Sequence, residues 1–454
     1  MSKPVTSPPE DPSRVQEVLT RHLRQRSPEV DRALDRADTA KGYQHWEDFR
    51  HRKTPEGWSA QDLWLLLAIT RRPRRQLPLL RTKTGEPFGI HRSDPMVAAL
   101  HRLDMREELW KSLSLAGEGP GSEVSYRLMA AIEEAHHSSA IEGAVTTRRR
   151  SRELIRAGAE PRNESERMVL NNFRTLERLT EWIESPLVPE TVSAIHASVT
   201  QGTLAEGDVG RIRTDDDVRV WDRTTNEILH VPPRAKELPD RMERLCAFAN
   251  APDTDEDFLH PVVRAILLHH QLAYDHPFAD GNGRTARALF LWGILRAGYA
   301  WFRSLSISRA VHRAQSSYYR SFLHVQSDRG DTTYFVRHQL RCIEREVEHL
   351  AEFLRRRARL ESWVRTKDAV SGPLNTRQLA LLEYALEHPE EGFTAKEHRQ
   401  YHGVTQPTAW KDLTSMVEQG LLDERKAGRK SVYFPSRKLR RLAAERPSER
   451  TRGV

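Results

Sequence analysis

The sequence predicts a mainly α-helical chain with one short β-hairpin near its middle and a compact unit of helices plus a basic hairpin at its C-terminal end. Three features of the pattern point to it. Apolar residues recur at helical spacing over most of residues 123 to 360. Between 210 and 233 the spacing changes: Val218 and Val220, then Ile228, Leu229 and Val231, read as two short strands joined by the polar turn Asp222 to Asn226. Beyond about Pro373 two short helical stretches flank Gly403 and are followed by a basic two-stranded pattern.

Taken in order, residues 1–40 are Pro-rich and highly charged and read as part lead-in and part helix. Ser59 is a plausible N-cap for the apolar helix that follows it. A Gly/Pro cluster from Ala116 to Ser122 sets a domain boundary, giving an N-terminal helical region over 1–118. The next helix covers 123–143, with Leu128, Ala131, Ile132, Ala135 and Ser139 on one face and Gly143 just past its end. Further helices are expected over 163–184, 189–200, 237–250, 259–274, 284–297, 308–326 and 332–360, and Pro232-Pro233 ends the second strand. The middle domain spans 119–360 and the C-terminal one 370–445.

Composition narrows the class. Hydrophobic residues make up 38% and charged residues 30% of 454, as in a globular protein. The longest purely apolar run, Leu63 to Ile69, falls far short of the ~20 residues that span a bilayer. The first residues lack the apolar core of a secretory signal, and two cysteines, Cys246 and Cys342, are too few for a disulfide scaffold; both fit a cytoplasmic location. The formal charge of +8 fits either a solvated surface or a phosphate-rich partner such as a nucleotide or DNA.

The chemistry concentrates in His276-Pro-Phe-Ala-Asp-Gly-Asn-Gly-Arg-Thr-Ala-Arg287. Gly281 and Gly283 allow a tight turn that presents N–H groups to an anion, and a helix expected from about Arg284 aims its positive end there. Arg284 and Arg287 lie three apart, on one helix face, above the same site. Asp280 is placed to hold Mg2+ between phosphate oxygens, and His276 is able to accept a proton. Base, metal ligand, nest and arginines are the parts of phosphoryl or nucleotidyl transfer.

This segment resembles the signature of the Fic family, His-x-Phe-x-Asp/Glu-Gly-Asn-Gly-Arg-x-x-Arg, at every specified position. The run from His260 to Leu272 is similar to the helix before the family loop, and the 218–233 hairpin to its target-binding flap, here Val218, Arg219, Val220 and Trp221. Tyr318-Tyr319 resembles the aromatic pair near the adenosine pocket, with Gln326 where the family often has Asn. The resemblance implies a Fic-type helical core that transfers AMP from ATP to a Ser, Thr or Tyr hydroxyl of a target protein. His276 would be the base, Asp280 the Mg2+ ligand, Asn282 and the glycines the α-phosphate cradle, and Arg284 and Arg287 the grip on the outer phosphates. Phe278 would only anchor the loop. Ser138-Ser-Ala-Ile-Glu142-Gly143 matches the family's inhibitory pattern, in which Glu142 would pair with Arg287 and misplace ATP.

The C-terminal part resembles a winged helix-turn-helix, with Thr405 as N-cap and Pro407 in the first turn of its second helix. In a DNA complex Thr405, Gln406, Thr408 and Lys411 would meet base edges while Arg425, Lys426, Arg429 and Lys430 meet phosphates. The same module would equally serve as an interaction or homodimerisation platform. Two other functions share the motif: a DNA-binding regulator whose loop only senses nucleotide, and an enzyme that removes AMP or transfers another phosphate-containing group. The intact His276 favours catalysis over sensing.

Overall fold

The computed structural model describes residues 5–38, 43–71, 75–116, 122–156, 158–221, 226–252, 254, 258–365, 374–387, 389–390, 392–427 and 430–444. In chain order these form α1 (Pro12–Gln25), α2 (Pro28–Asp38), α3 (Trp46–Phe49), α4 (Ala60–Arg71), β1 (Arg75–Arg81), β2 (Pro87–Ile90), α5 (Asp94–Ala116), α6 (Ser122–Ile141), α7 (Arg148–Arg156), α8 (Glu164–Trp182) and α9 (Pro189–Thr200). There follow β3 (Val220–Trp221), β4 (Ile228–His230), α10 (Leu238–Asn250), α11 (Pro261–Asp275), α12 (Asn282–Arg296), α13 (Ile307–Arg313), α14 (Gln315–Ser327) and α15 (Thr333–Arg365). The last are α16 (Thr376–Glu387), α17 (Ala395–His402), α18 (Gln406–Glu418), β5 (Leu422–Ala427), β6 (Lys430–Pro435) and α19 (Arg437–Ala444). Among the described residues the chain is mainly helical, with three antiparallel two-stranded sheets.

Two compact units result. The first contains Met1–Leu109, Ala130–Ser151 and Pro161–Glu346. Its centre is α11, buried on nearly every side from Val262 to Leu272, and α12 packs along it. The expected separate region over 1–118 is corrected here, because its residues join the same unit through buried polar contacts. The Thr332 N–H donates to the Gly89 carbonyl at 2.8 Å, Tyr43 O–H donates to Asp331, and Glu47 pairs with Arg320. Within this stretch α1, α2 and α4 share an apolar cluster of Val18, Val30, Phe49, Trp58 and Leu63 to Leu67. Ser59 caps α4 as expected, accepting the Asp62 N–H at 3.1 Å while Asp62 accepts the Ser59 N–H.

The second unit contains Trp110–Met129, Arg152–Glu160 and Val347–Val454. Leu382, Ala385, Leu413, Met416, Leu421 and Leu439 form its core under the β5–β6 hairpin. Thr405 caps α18 by accepting the Thr408 N–H, and the turn before it passes through Gly403 at φ 62°. Asp412 on α18 is buried between Arg377 at 2.9 Å and His398 at 3.1 Å. Thr405, Gln406, Lys411, Arg425 and Lys426 are exposed, and Thr408 is half-buried with its hydroxyl on Thr405. Arg429 and the side chain of Lys430 lie outside the described residues.

Other expectations are adjusted. The helix expected over 308–326 is two, broken at Ala314 (φ −125°, ψ 37°). The middle hairpin is shorter than expected: Val218 and Arg219 precede its first strand, Val231 follows its second, and residues 222–225 lie outside the described residues. A register shift between Val220 and Trp221 limits its pairing.

Candidate active site

The loop between α11 and α12 is built by its own side chains. Asn282 is buried, accepts the Phe278 N–H at 2.9 Å and donates to the Phe278 carbonyl at 2.8 Å, so its amide closes the loop. This corrects its expected part in an anion cradle: only its backbone remains for that. Phe278 is fully buried and stacks on His196 of α9, with ring centroids 3.8 Å apart and planes 7° from parallel. His196 accepts the Gly210 N–H on Nδ1 at 3.0 Å, which leaves Nε2–H to donate to the Asp280 carbonyl at 2.8 Å. Burial holds this imidazole to a pKa of about 4, so the neutral tautomer that the two bonds demand is the stable one. Gly281 turns at φ 79°, and a Cβ there would lie 2.5 Å from Thr200 Cγ2; only glycine fits.

His276 ends α11 in a left-handed conformation (φ 48°, ψ 57°). Its Nδ1–H donates to the Ala273 carbonyl at 3.2 Å, which leaves the Nε2 lone pair available. Burial lowers its pKa, keeping the ring in the form that accepts a proton. Arg213, which no sequence motif singles out, donates to the His276 carbonyl at 3.0 Å and to the Pro233 carbonyl at 2.6 Å. It thereby ties the end of the β3–β4 hairpin to the loop.

A cavity of about 600 Å³ opens beside the loop. His276, Asp280, Gly283, Glu142, Tyr318 and Gln326 line it, as do Val218, Arg219, Val220 and Trp221 of the hairpin. Tyr318 is held by His269 at 2.9 Å, and Gln326 by His230 at 3.1 Å. Trp221 and Ile228 are half exposed on the hairpin.

Arg284 and Arg287 are not on that lining. Because α12 begins at Asn282, two residues earlier than expected, Gly283 faces the cavity and Arg284 turns behind the loop, 1% exposed, donating to the Val199 carbonyl at 2.9 Å. Its expected grip on outer phosphates is therefore absent from this conformation. Arg287 is also buried, and its contacts are with α6. Nε donates to Ser138 Oγ at 2.8 Å, and Nη2 donates to the Ser138 carbonyl at 2.8 Å and to Glu142 Oε1 at 2.9 Å. Burial alone would weaken the charge on Arg287, and Glu142 together with Tyr318 and Tyr319 more than reverses that. The Glu142 carboxylate also sits on Gly283: a Cβ there would lie 2.0 Å from Oε1. About two turns before Glu142, on α6, Glu134 receives the Ser308 N–H at 2.8 Å and the Ser306 hydroxyl at 3.2 Å, fixing the helix in place.

The donor set fits the expected ligands in outline. Asp280 offers one exposed carboxylate at the cavity, which matches how Mg2+ is held by one or two carboxylates plus substrate phosphates.

Residues 186–293 match the Fic/DOC family profile. The protein adenylyltransferase Fic of Nematostella vectensis is 31% identical over 231 residues, 48% of this chain and 49% of that protein. The protein of the same name from Drosophila melanogaster is 27% identical over 252 residues, 54% of this chain and 47% of that protein. The chain thus spans about half the length of these curated relatives. A crystal structure of a Fic family protein from Desulfovibrio desulfuricans G20 superposes with a TM-score of 0.50 at 20% identity, covering 76% of this chain and 97% of that one.

Proposed function

We propose that this chain, which belongs to the Fic/DOC family through residues 186–293, transfers AMP from ATP to a Ser, Thr or Tyr hydroxyl of a target protein and is restrained by its own Glu142. The observation that carries the reading is the pairing of a neutral His276, its Nε2 unclaimed, with a glycine-lined helix N-terminus across one cavity. His276 takes the proton of the incoming hydroxyl, whose oxygen attacks the α-phosphorus as pyrophosphate leaves. Gly283 and the first N–H groups of α12 face the phosphate, and Asp280 would hold Mg2+, which when bound offsets phosphate charge. The β3–β4 hairpin presents an edge to which an extended target segment adds as a strand, Trp221 and Ile228 packing against it. Glu142 occupies Arg287, the cation that would otherwise meet the outer phosphates, and it crowds the space beside Gly283. Incubation with labelled ATP and Mg2+, followed by mass spectrometry, tests the class. An AMP increment on a hydroxyl residue supports it; release of AMP from a modified protein, with no addition, favours the reverse reaction.

The C-terminal unit supports a second role, docking on duplex DNA from a cytoplasmic location. Thr405, Gln406 and Lys411 are exposed at the start of α18, beside a hairpin carrying Arg425 and Lys426. Arg425→Ala with Lys426→Ala in the full chain should weaken binding to all duplexes and reduce the salt slope by about 2. No gel shift of wild type at low salt would leave this unit as a protein or homodimer contact.

A further inference from the structure

On the other face of α14 lies a second cavity, of about 610 Å³, within the same unit. Arg337, Arg341 and Arg345 of α15 line it with Arg320, His338, His324 and a single acidic residue, Asp48. The three α15 arginines are spaced four apart, so they share one helix face with about 6 Å of rise between neighbours. Their contacts leave the charge uncompensated. Arg337 Nη1 reaches Ser93 Oγ at 3.4 Å and Arg341 Nε donates to the Arg337 carbonyl at 3.3 Å; among the described residues none of the three has a carboxylate in ion-pair range. Carboxylates near this wall are engaged elsewhere: Glu47 with Arg320 and His324, Glu344 with Arg102, Glu346 with Arg309 and Asp38 with Arg71. Burial, and then the charge of Arg341, hold Arg337 down to about 10, still protonated at neutral pH. A helix face of like charges, concave and lacking counter-ions, is more stable with an anion in it.

We propose that this cavity is a binding site for a small anion carrying two or more phosphate groups in a row, separate from the loop site. Guanidinium groups bind phosphate oxygens through paired N–H donors, and a row of three along about 12 Å suits a phosphate chain better than one isolated phosphate. Ser317 of α14 adds a hydroxyl on the facing wall.

Calorimetric titration of the full chain with tripolyphosphate tests this, with pyrophosphate and citrate as comparison ligands. Tripolyphosphate should bind, more weakly as salt rises, and Arg341→Gln with Arg345→Gln should lower its affinity at least tenfold. Both positions are exposed, so the fold should survive; Arg345→Gln alone gives the same direction should the pair fail to fold. Arg287→Ala, which alters only the loop site, should leave this affinity unchanged. Equal affinity in wild type and the Arg341/Arg345 variant, loss caused by Arg287→Ala instead, or equally tight citrate binding would each overturn the proposal.

Discussion

The two cavities on either side of α14 have nearly the same volume and both draw on arginine, yet they treat its charge in opposite ways. Beside the loop, Arg287 is buried against Glu142 and Ser138 and Arg284 against a backbone carbonyl, so the protein itself satisfies the cations a nucleotide would need. Along α15, three guanidiniums line the cavity with no carboxylate in ion-pair range among the described residues. Arg320 lines both cavities and is itself paired with Glu47. A positive cavity is thus built here in two ways, with and without a protein carboxylate on its arginines, and only the first can be switched by moving one carboxylate.

The largest effect should come from removing the proposed base. His276→Ala should lower AMP transfer by about 10²–10⁴-fold while leaving ATP affinity, measured by calorimetry, within a few fold. Undiminished transfer would remove the assignment. Next, Glu142→Gly should raise labelled-AMP incorporation by roughly tenfold or more, the size of an ordinary coupling between two sites. Arg287→Ala should not mimic it, since that change deletes the glutamate's anchor and the phosphate's partner together. Equal incorporation in wild type and folded Glu142→Gly would mean that self-occupation has no inhibitory consequence.

Smaller effects sharpen how the loop is held. His196→Ala removes the stack on Phe278 and two hydrogen bonds, and should cost about 2–4 kcal/mol in urea unfolding. A cost near zero would show that Asn282 alone shapes the loop. The pH response has a defined sign. His196 and His230 are held to about 4 in the folded chain against an ordinary 6.5, so the unfolded chain binds their protons first. Stability from these groups is complete above about pH 6.5 and is lost as pH falls toward 4. Thermal melts should show that decline, and His196→Gln should make it shallower. In Glu142→Gly, the loss of incorporation with acid should set in at a lower pH than an ordinary imidazole of about 6.5 would give, because burial lowers the His276 pKa.

How much of this the sequence revealed depends on how local the cause was. The loop residues are contiguous, and their types state the chemistry; Ser138 and Glu142 were legible for the same reason, as an i, i+4 pair before a glycine. The direction in which Arg284 points was not legible, because two residues' difference in the start of α12 decides which side chains face the cavity. His196, Arg213 and Glu134 stayed hidden since each acts through a partner 60 or more residues away, mostly a backbone group. The first 109 residues gave helices but not their place, which single polar contacts such as Tyr43 to Asp331 establish.

The left-handed backbone at His276 has one further consequence. Such a conformation costs a side-chain-bearing residue on the order of 1 kcal/mol, and glycine or asparagine would occupy it more comfortably. The same twist that strains the main chain lets Nδ1–H reach back to Ala273 and turns Nε2 outward, which under the proposed reaction offsets the conformational cost of histidine there. A lineage released from the reaction would gain stability by drifting to glycine at this one position, so the residue standing there reports whether the chemistry is still under selection.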